Sequence, residues 1–125
     1  MNLNQVTLPA TDVARSAAFY QLLGFVQIVA ELPSYARFEC AEGATFSLQQ
    51  VASVAPDSGV VVYFECEQLD ATCRELVARG VQFESMPQDQ PYLWREAYLR
   101  DPDGNLLCLY HAGVNRRHPP WRLPA

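Results

Sequence analysis

The chain repeats its own pattern. A shift of about 56 residues superposes Val6 on Val62, Leu8 on Phe64, Val13 on Leu69, Tyr20 on Leu76 and Gly24 on Gly80. A shift of about 61 superposes Gly43 on Gly104, Phe46 on Leu107 and Leu48 on Leu109. Two helix-closing glycines and two hairpin glycines recurring in step point to one duplicated α+β module. Each copy reads as strand, helix and three further strands, so each sheet can bury its apolar face under its own helix.

The last strand carries the sharpest local signal. In Asp101-Pro102-Asp103-Gly104-Asn105, Pro102 presets φ for a tight turn and Gly104 supplies the positive φ of a hairpin bulge. Asn105 to Tyr110 then alternates, with Leu107 and Leu109 on one face and Leu106, Cys108 and Tyr110 on the other. Earlier, Val6 to Leu8 predicts a short strand ending at Pro9. Thr11 or Asp12 caps a helix marked by Val13, Ala17, Tyr20 and Leu23 and closed by Gly24. Strands follow at Phe25 to Glu31, Tyr35 to Cys40 and Thr45 to Gln49.

Residues 52–59, containing Pro56-Asp57-Ser58-Gly59, have a linker composition. The pattern then restarts. Val60 to Glu65 predicts a strand, Leu69, Cys73, Leu76 and Val77 a helix closed by Gly80, and Val81 to Glu84 a strand. Met86 to Tyr92 reads as a loop, extended by its prolines into either a lid or a fixed connection, and Glu96 to Arg100 as a strand. The expected organisation is one domain over 1–125, with modules at about 1–51 and 60–110 and an extension at 111–125. The extension, rich in arginine and proline around Trp121, predicts polyproline-like chain lying across its own domain or a partner subunit.

Composition removes several function classes. The net charge of −5 argues against a nucleic-acid partner. All nine basic residues are arginine, so lysine Schiff-base chemistry is excluded. No apolar run is long enough for a membrane helix and no leader is visible, so the cytoplasm is the expected compartment. Cys40, Cys66, Cys73 and Cys108 lack metal-type spacing and read as reduced thiols. His111 and His118, the two histidines, both lie in the extension.

Three stretches taken together, Leu8-Pro9-Ala10-Thr11-Asp12 with Phe19 to Phe25, Phe64 to Asp70, and Asp101 to Asn105, resemble the vicinal oxygen chelate superfamily. That group contains glyoxalase I, bleomycin-resistance proteins and extradiol dioxygenases. The resemblance spans Val6 to Tyr110 and implies two βαβββ modules forming one cupped mixed sheet with a concave cleft, in a homodimer. For metal-using members it implies ligands at positions falling here on Gln5, Ser47, Val61 and Cys108. Glutamine occurs at the first position in some glyoxalases. Valine brings no donor, serine is a poor ligand, and one thiolate with one amide does not hold a divalent ion. No metal is therefore expected.

Strand parity places further residues toward the cleft: Thr7, Gln49, Tyr63, Glu65 and Tyr110, with Tyr35, Arg37, Glu96, Tyr98 and Arg100. Glu65 is a candidate general base if partly desolvated, with Tyr63 beside it in proton transfer, and the plainer alternative pairs Glu65 with an arginine such as Arg100. Arg37, Arg95 and Arg100 are candidate anion clamps or surface ion pairs. Tyr63, Tyr92, Trp94 and Tyr98 offer walls for a planar ligand, or core packing. Three functions follow: a small-molecule-binding protein of the bleomycin-resistance kind, a metal-dependent lyase, isomerase or dioxygenase with ligands drawn from Gln5, Gln49, Glu65 and Cys108, and a metal-free enzyme using Glu65 or Tyr63.

Overall fold

Asp12 opens the first helix by accepting a hydrogen bond from the Arg15 amide at 3.1 Å, which satisfies one of the donors that a helix start leaves free. The computed structural model describes residues 1–125. It runs β1 (Gln5–Ala10), α1 (Val13–Leu22), β2 (Val26–Glu31), β3 (Tyr35–Glu39), β4 (Thr45–Gln50), β5 (Val61–Glu65), α2 (Leu69–Ala78), β6 (Ser85–Asp89), β7 (Arg95–Arg100) and β8 (Leu106–His111). A 3-10 helix, Gly113–Arg116, follows. The fold is α+β, with a four-stranded mixed sheet in each half.

The strand order is β1-β4-β3-β2 in the first sheet and β5-β8-β7-β6 in the second. In each, the first and last strands of the module pair in parallel and the rest antiparallel. Where the resemblance implies one cupped sheet, hydrogen bonding closes within each module. The chain divides into a unit of residues 1–59 with 101–105, and a unit of residues 60–100 with 106–125.

Both helices end in the same way. Gly24 and Gly80 adopt φ of +102° and +95°, the left-handed conformation of a C′ glycine. The amides of Phe25 and Val81 reach back to the carbonyls of Tyr20 and Leu76 at 3.1 and 3.0 Å. This explains the one strand that the sequence misplaces. Val81 is consumed as the buried apolar residue that closes α2, so residues 81–84 form a connection and the strand is Ser85–Asp89. Pro87 is tolerated because β6 is an edge strand with a register shift between Ser85 and Gln88. Most of the expected loop is therefore strand, and the remainder is a fixed turn closed by Gln90 N–H to Trp94 O at 2.7 Å. Pro9 likewise lies within β1, another edge strand, and does not end it.

The first unit packs Tyr20, Phe38 and Phe46 beneath α1, with Phe38 and Phe46 stacked at 5.1 Å. Each such ring stabilises the fold by roughly 1.5–3 kcal/mol. Residues 101–105 belong to this unit. Asp101 accepts from the Tyr20 hydroxyl at 2.8 Å and from the Asp103 and Asn105 amides at 3.0 and 2.9 Å. Asp103 accepts from the Thr11 hydroxyl at 2.6 Å and the Ser16 hydroxyl at 3.1 Å. Against the opposing push of burial, those donors and Arg15 hold the Asp103 carboxyl below the usual carboxylate range. In the second unit, α2 buries Leu69, Cys73 and Leu76, while Ala97, Leu99, Leu107 and Leu109 are the buried residues of β7 and β8 with the same parity.

No helix is long and apolar enough to cross a membrane. All four cysteines are free thiols, Cys73 and Cys108 buried and the others half-buried. The extension corrects the polyproline expectation: after the 3-10 helix, turns close from His118 N–H to Val114 O at 2.8 Å and from Arg122 N–H to Pro119 O at 3.0 Å. Trp121 is 57% exposed. The extension is held instead by Trp94, whose Nε1–H donates to Asn115 O at 3.3 Å.

Candidate functional site

On the sheet face opposite its helix, the first unit carries alternate residues of β1, β4 and β3. Register sets Thr7 beside Ser47, Ser47 beside Arg37, and Gln49 beside Tyr35. Ser47 is fully buried and serves as the hub. Its hydroxyl accepts from Gln5 Nε2 at 2.8 Å and shares a 2.6 Å hydrogen bond with the Tyr35 hydroxyl. Tyr35 in turn accepts from Arg37 Nε at 2.9 Å. The Ser47 hydrogen bond, opposed by a little burial and helped by Arg37, lowers the Tyr35 pKa. Gln5 is also tied down through its carbonyl, which accepts from Thr45 Oγ1. Of the residues expected on this face, Gln5, Ser47, Tyr35 and Arg37 form one chain of hydrogen bonds, with Gln49 at the exposed end of β4.

The second unit fills the equivalent face with rings. Val61, Tyr63 and Glu65 on β5 pair in register with Leu106, Cys108 and Tyr110 on β8, and Tyr110 and Cys108 pair with Glu96 and Tyr98 on β7. Trp94 stacks on Tyr110 with centroids 4.8 Å apart and planes 22° apart. Tyr63 meets Trp94 and Tyr110 edge-on at 5.8 and 5.5 Å, and Tyr92 approaches Trp94 at 6.1 Å. Beneath them Cys108, Tyr110 and Ala112 form a small core with Val61, Trp94 and Tyr98 packed against it. Five of the expected site residues (Tyr63, Trp94, Glu96, Tyr98 and Tyr110) thus share one face.

Glu96 is the buried charged member of this set, 3% exposed. One carboxylate oxygen accepts from Tyr92 OH at 2.7 Å and from Tyr98 OH at 3.1 Å. The Glu96 hydrogen bond and then burial push the Tyr92 phenol up to about 12. Burial pushes Tyr110 up to about 12, helped by the Glu65 charge, and burial with a hydrogen bond to Tyr63 raises Tyr98. All three phenols are therefore protonated donors at neutral pH.

Glu65 is shifted in the direction opposite to the one that would suit a general base. Burial does push it up, but the amides of Ala112 and Gly113, each 2.8 Å from Oε2, with His111 and Arg116, carry the balance the other way and hold the carboxyl below its ordinary value. Glu65 caps the 3-10 helix of the extension, and its arginine partner is Arg116 at 3.8 Å. Arg100 pairs with Glu84 at 2.8 Å, while Arg95 pairs with Asp70 and Asp89 at 2.9 and 3.0 Å. Arg37 alone of the three candidate clamps makes no ion pair. It lies over the Tyr35 ring at 5.4 Å.

The side chains at the superfamily's ligand positions do not suit a divalent metal. Val61 has no donor, and Gln5 and Ser47 are committed to each other and to Thr45 and Tyr35. Cys108 is buried, and burial with the nearby Glu96 charge pushes its thiol up to about 12, whereas zinc needs the thiolate. No group of three or more His, Cys, Asp or Glu side chains is placed to hold a metal. Sequence reasoning missed two contributors, the Tyr92 hydroxyl on Glu96 and the Asn115 carbonyl on Trp94. Pairwise contacts across a turn and across 21 residues leave no periodic signal.

A family model described as the Glyoxalase/Bleomycin resistance protein/Dioxygenase superfamily matches residues 2–109. Uncharacterized protein YraH of Bacillus subtilis (strain 168) is 29% identical over 125 residues, covering 88% of this chain and 98% of its own. A crystal structure of a glyoxalase/bleomycin resistance protein/dioxygenase from Nocardioides is 26% identical with a TM-score of 0.77, over 99% of this chain and 90% of that one. A bleomycin-binding protein complexed with bleomycin superposes with a TM-score of 0.75 at 22% identity, over 89% and 98%. Lactoylglutathione lyase from Agrobacterium tumefaciens gives 0.74 at 17%, over 90% and 95%. The last two share the fold with this chain.

Proposed function

Because the chain belongs to the glyoxalase/bleomycin resistance protein/dioxygenase superfamily, we propose that it binds a small molecule against the aromatic sheet face of its second unit, without a metal. The observation that carries this is the Trp94–Tyr110 stack with Tyr63 standing edge-on beside it, a ready surface for a planar or amphipathic ligand. Tyr63 is 43% exposed, so part of that surface faces outward. The bleomycin-binding neighbour holds its ligand in the same fold. In this reading the protein works as a homodimer in the cytoplasm, where four unpaired thiols stay reduced.

The test is a titration of chelator-treated protein with a panel of planar aromatic compounds, bleomycin among them, read by tryptophan fluorescence and repeated with nickel, zinc, manganese or iron(II). Saturable binding unaffected by the chelator is expected. Stoichiometric metal of sub-micromolar affinity, lost in Gln5→Ala or Glu65→Ala, would replace this reading with a metal-dependent lyase, isomerase or dioxygenase. Light scattering of the purified protein checks the dimer.

A further inference from the structure

Glu96 is a carboxylate with no cationic partner. It is 3% exposed, its partners are the hydroxyls of Tyr92 and Tyr98, and no arginine or histidine pairs with it. Asp101, 4% exposed, is the other buried carboxylate without an arginine partner, but two backbone amides donate to it beside the Tyr20 hydroxyl, whereas Glu96 has phenols alone. Glu65, Glu75, Glu84, Asp70, Asp89 and Asp103 all lie within ion-pair distance of an arginine. A buried carboxylate without a countercharge is costly, and a cation arriving from solution offsets that cost.

The rings around Glu96 are arranged for the same kind of guest. Tyr63, Tyr92, Trp94 and Tyr110 contact one another at centroid distances of 4.8–6.1 Å, with Tyr63 and Tyr92 each 43% exposed. Ring faces attract ammonium and guanidinium groups through the aromatic quadrupole. Two of the phenols around the carboxylate donate to it, which draws negative charge onto their rings and strengthens that attraction. Of the arginines of this unit, Arg95 and Arg100 are paired with Asp70, Asp89 and Glu84, and Arg116, which acts on Tyr110, is shared with Glu65 at 3.8 Å.

We infer that the ligand of this face is an organic cation, an aromatic or amphipathic molecule carrying a quaternary ammonium, protonated amine or guanidinium group. Its apolar part lies on the partly exposed rings of Tyr63 and Trp94, and its charge sits over the Tyr92 phenol that covers Glu96. This rests on the small-molecule reading above and narrows it to one charge class.

The probes are benzyltrimethylammonium, the neutral benzyl alcohol and the anion phenylacetate, titrated at low ionic strength. The readout is Trp94 fluorescence in a Trp121→Phe background, which leaves one tryptophan. We expect saturable binding of the cation, at least tenfold tighter than either other probe, and at least tenfold weaker in Glu96→Gln, which keeps the side chain's shape and removes its charge. Where Glu96→Gln does not fold, Tyr63→Leu removes an exposed ring and is expected to weaken the cation several-fold while benzyl alcohol changes less. Preference for benzyl alcohol or phenylacetate would overturn the cation assignment and leave small-molecule binding standing. Equal binding of the cation to wild type and Glu96→Gln would also overturn it. Failure of all three probes, together with failure of the planar-compound panel, would overturn both.

Discussion

The two units place different chemistry in the same positions. A shift of about 61 residues sets Tyr35 against Glu96, Arg37 against Tyr98, Ser47 against Cys108 and Gln49 against Tyr110, and the strand registers of the two sheets agree with this pairing. Each hydroxyl, amide or guanidinium of the first unit is answered by a ring, a thiol or a carboxylate in the second. The first face satisfies its polar groups internally through Ser47. The second buries an acid beneath aromatic rings and leaves part of those rings exposed. Duplication preserves the backbone plan because the helix-closing glycines and the sheet register are structural needs. The face opposite each helix is under no such need, and there the copies have diverged. One face is a closed network of hydrogen bonds, and the other is a set of rings of which Tyr63 and Tyr92 are left half exposed.

The contrast predicts unequal costs at equivalent positions. Tyr110→Ala removes a buried ring stacked on Trp94 and is expected to cost about 3–4 kcal/mol, whereas Gln49→Ala, on an exposed amide, stays within about 0.5 kcal/mol. Urea unfolding of both variants measures the difference, and comparable losses would mean that the faces are not specialised. A reciprocal exchange sharpens the point. Ser47→Cys deprives Gln5 and Tyr35 of their shared hydroxyl, and Cys108→Ser puts a shorter, more strongly solvated hydroxyl where a thiol is buried against Tyr98, Tyr110 and Ala112, so each is expected to cost about 1–2 kcal/mol. Two neutral exchanges in thermal unfolding would show that thiol and hydroxyl are interchangeable there.

The smallest effect concerns pH. The Glu65 carboxyl is held below its unfolded value, so its contribution to stability is present above the ordinary glutamate pKa and is lost as pH falls through the lower, folded one. Stability measured from neutral pH downward should therefore fall less steeply in Glu65→Gln than in the wild type. An unchanged acid limb would show that the Ala112 and Gly113 amides do not stabilise the charge.

The backbone plan was legible because its signals are local. Gly24, Gly80 and Gly104 mark chain reversals by a conformation that other residues avoid, and alternation in Leu106 to Tyr110 marks a strand directly. The misplaced strand shows where locality fails. Val81 and Phe83 look like strand residues, but Val81 is required to close α2, and the residues by which the two shifts differ enter only later, at the register shift of β6 and in the turn before β7. The site was legible as a set of positions but not as chemistry. Parity places Glu65 and Glu96 on the same face, yet one is held ionised by amides 47 and 48 residues away and the other is buried under phenols. The first environment comes from far along the chain, and the second from Tyr92 and Tyr98 nearby, brought onto Glu96 by the turn before β7.

The turn at residues 101–105 has a consequence for how the protein is made. The first unit is discontinuous in the chain: Tyr20 awaits Asp101, 81 residues later, and Thr11 awaits Asp103, 92 residues later. A ribosome that has released residues 1–59 has therefore released an unfinished unit, with the Tyr20 hydroxyl lacking its partner until the other strands have followed. Contacts so distant in sequence are slow to form, because the intervening chain must be ordered or looped out first. Severing the chain at Gly59 would not yield two self-sufficient halves, since the piece that completes the first is carried on the second.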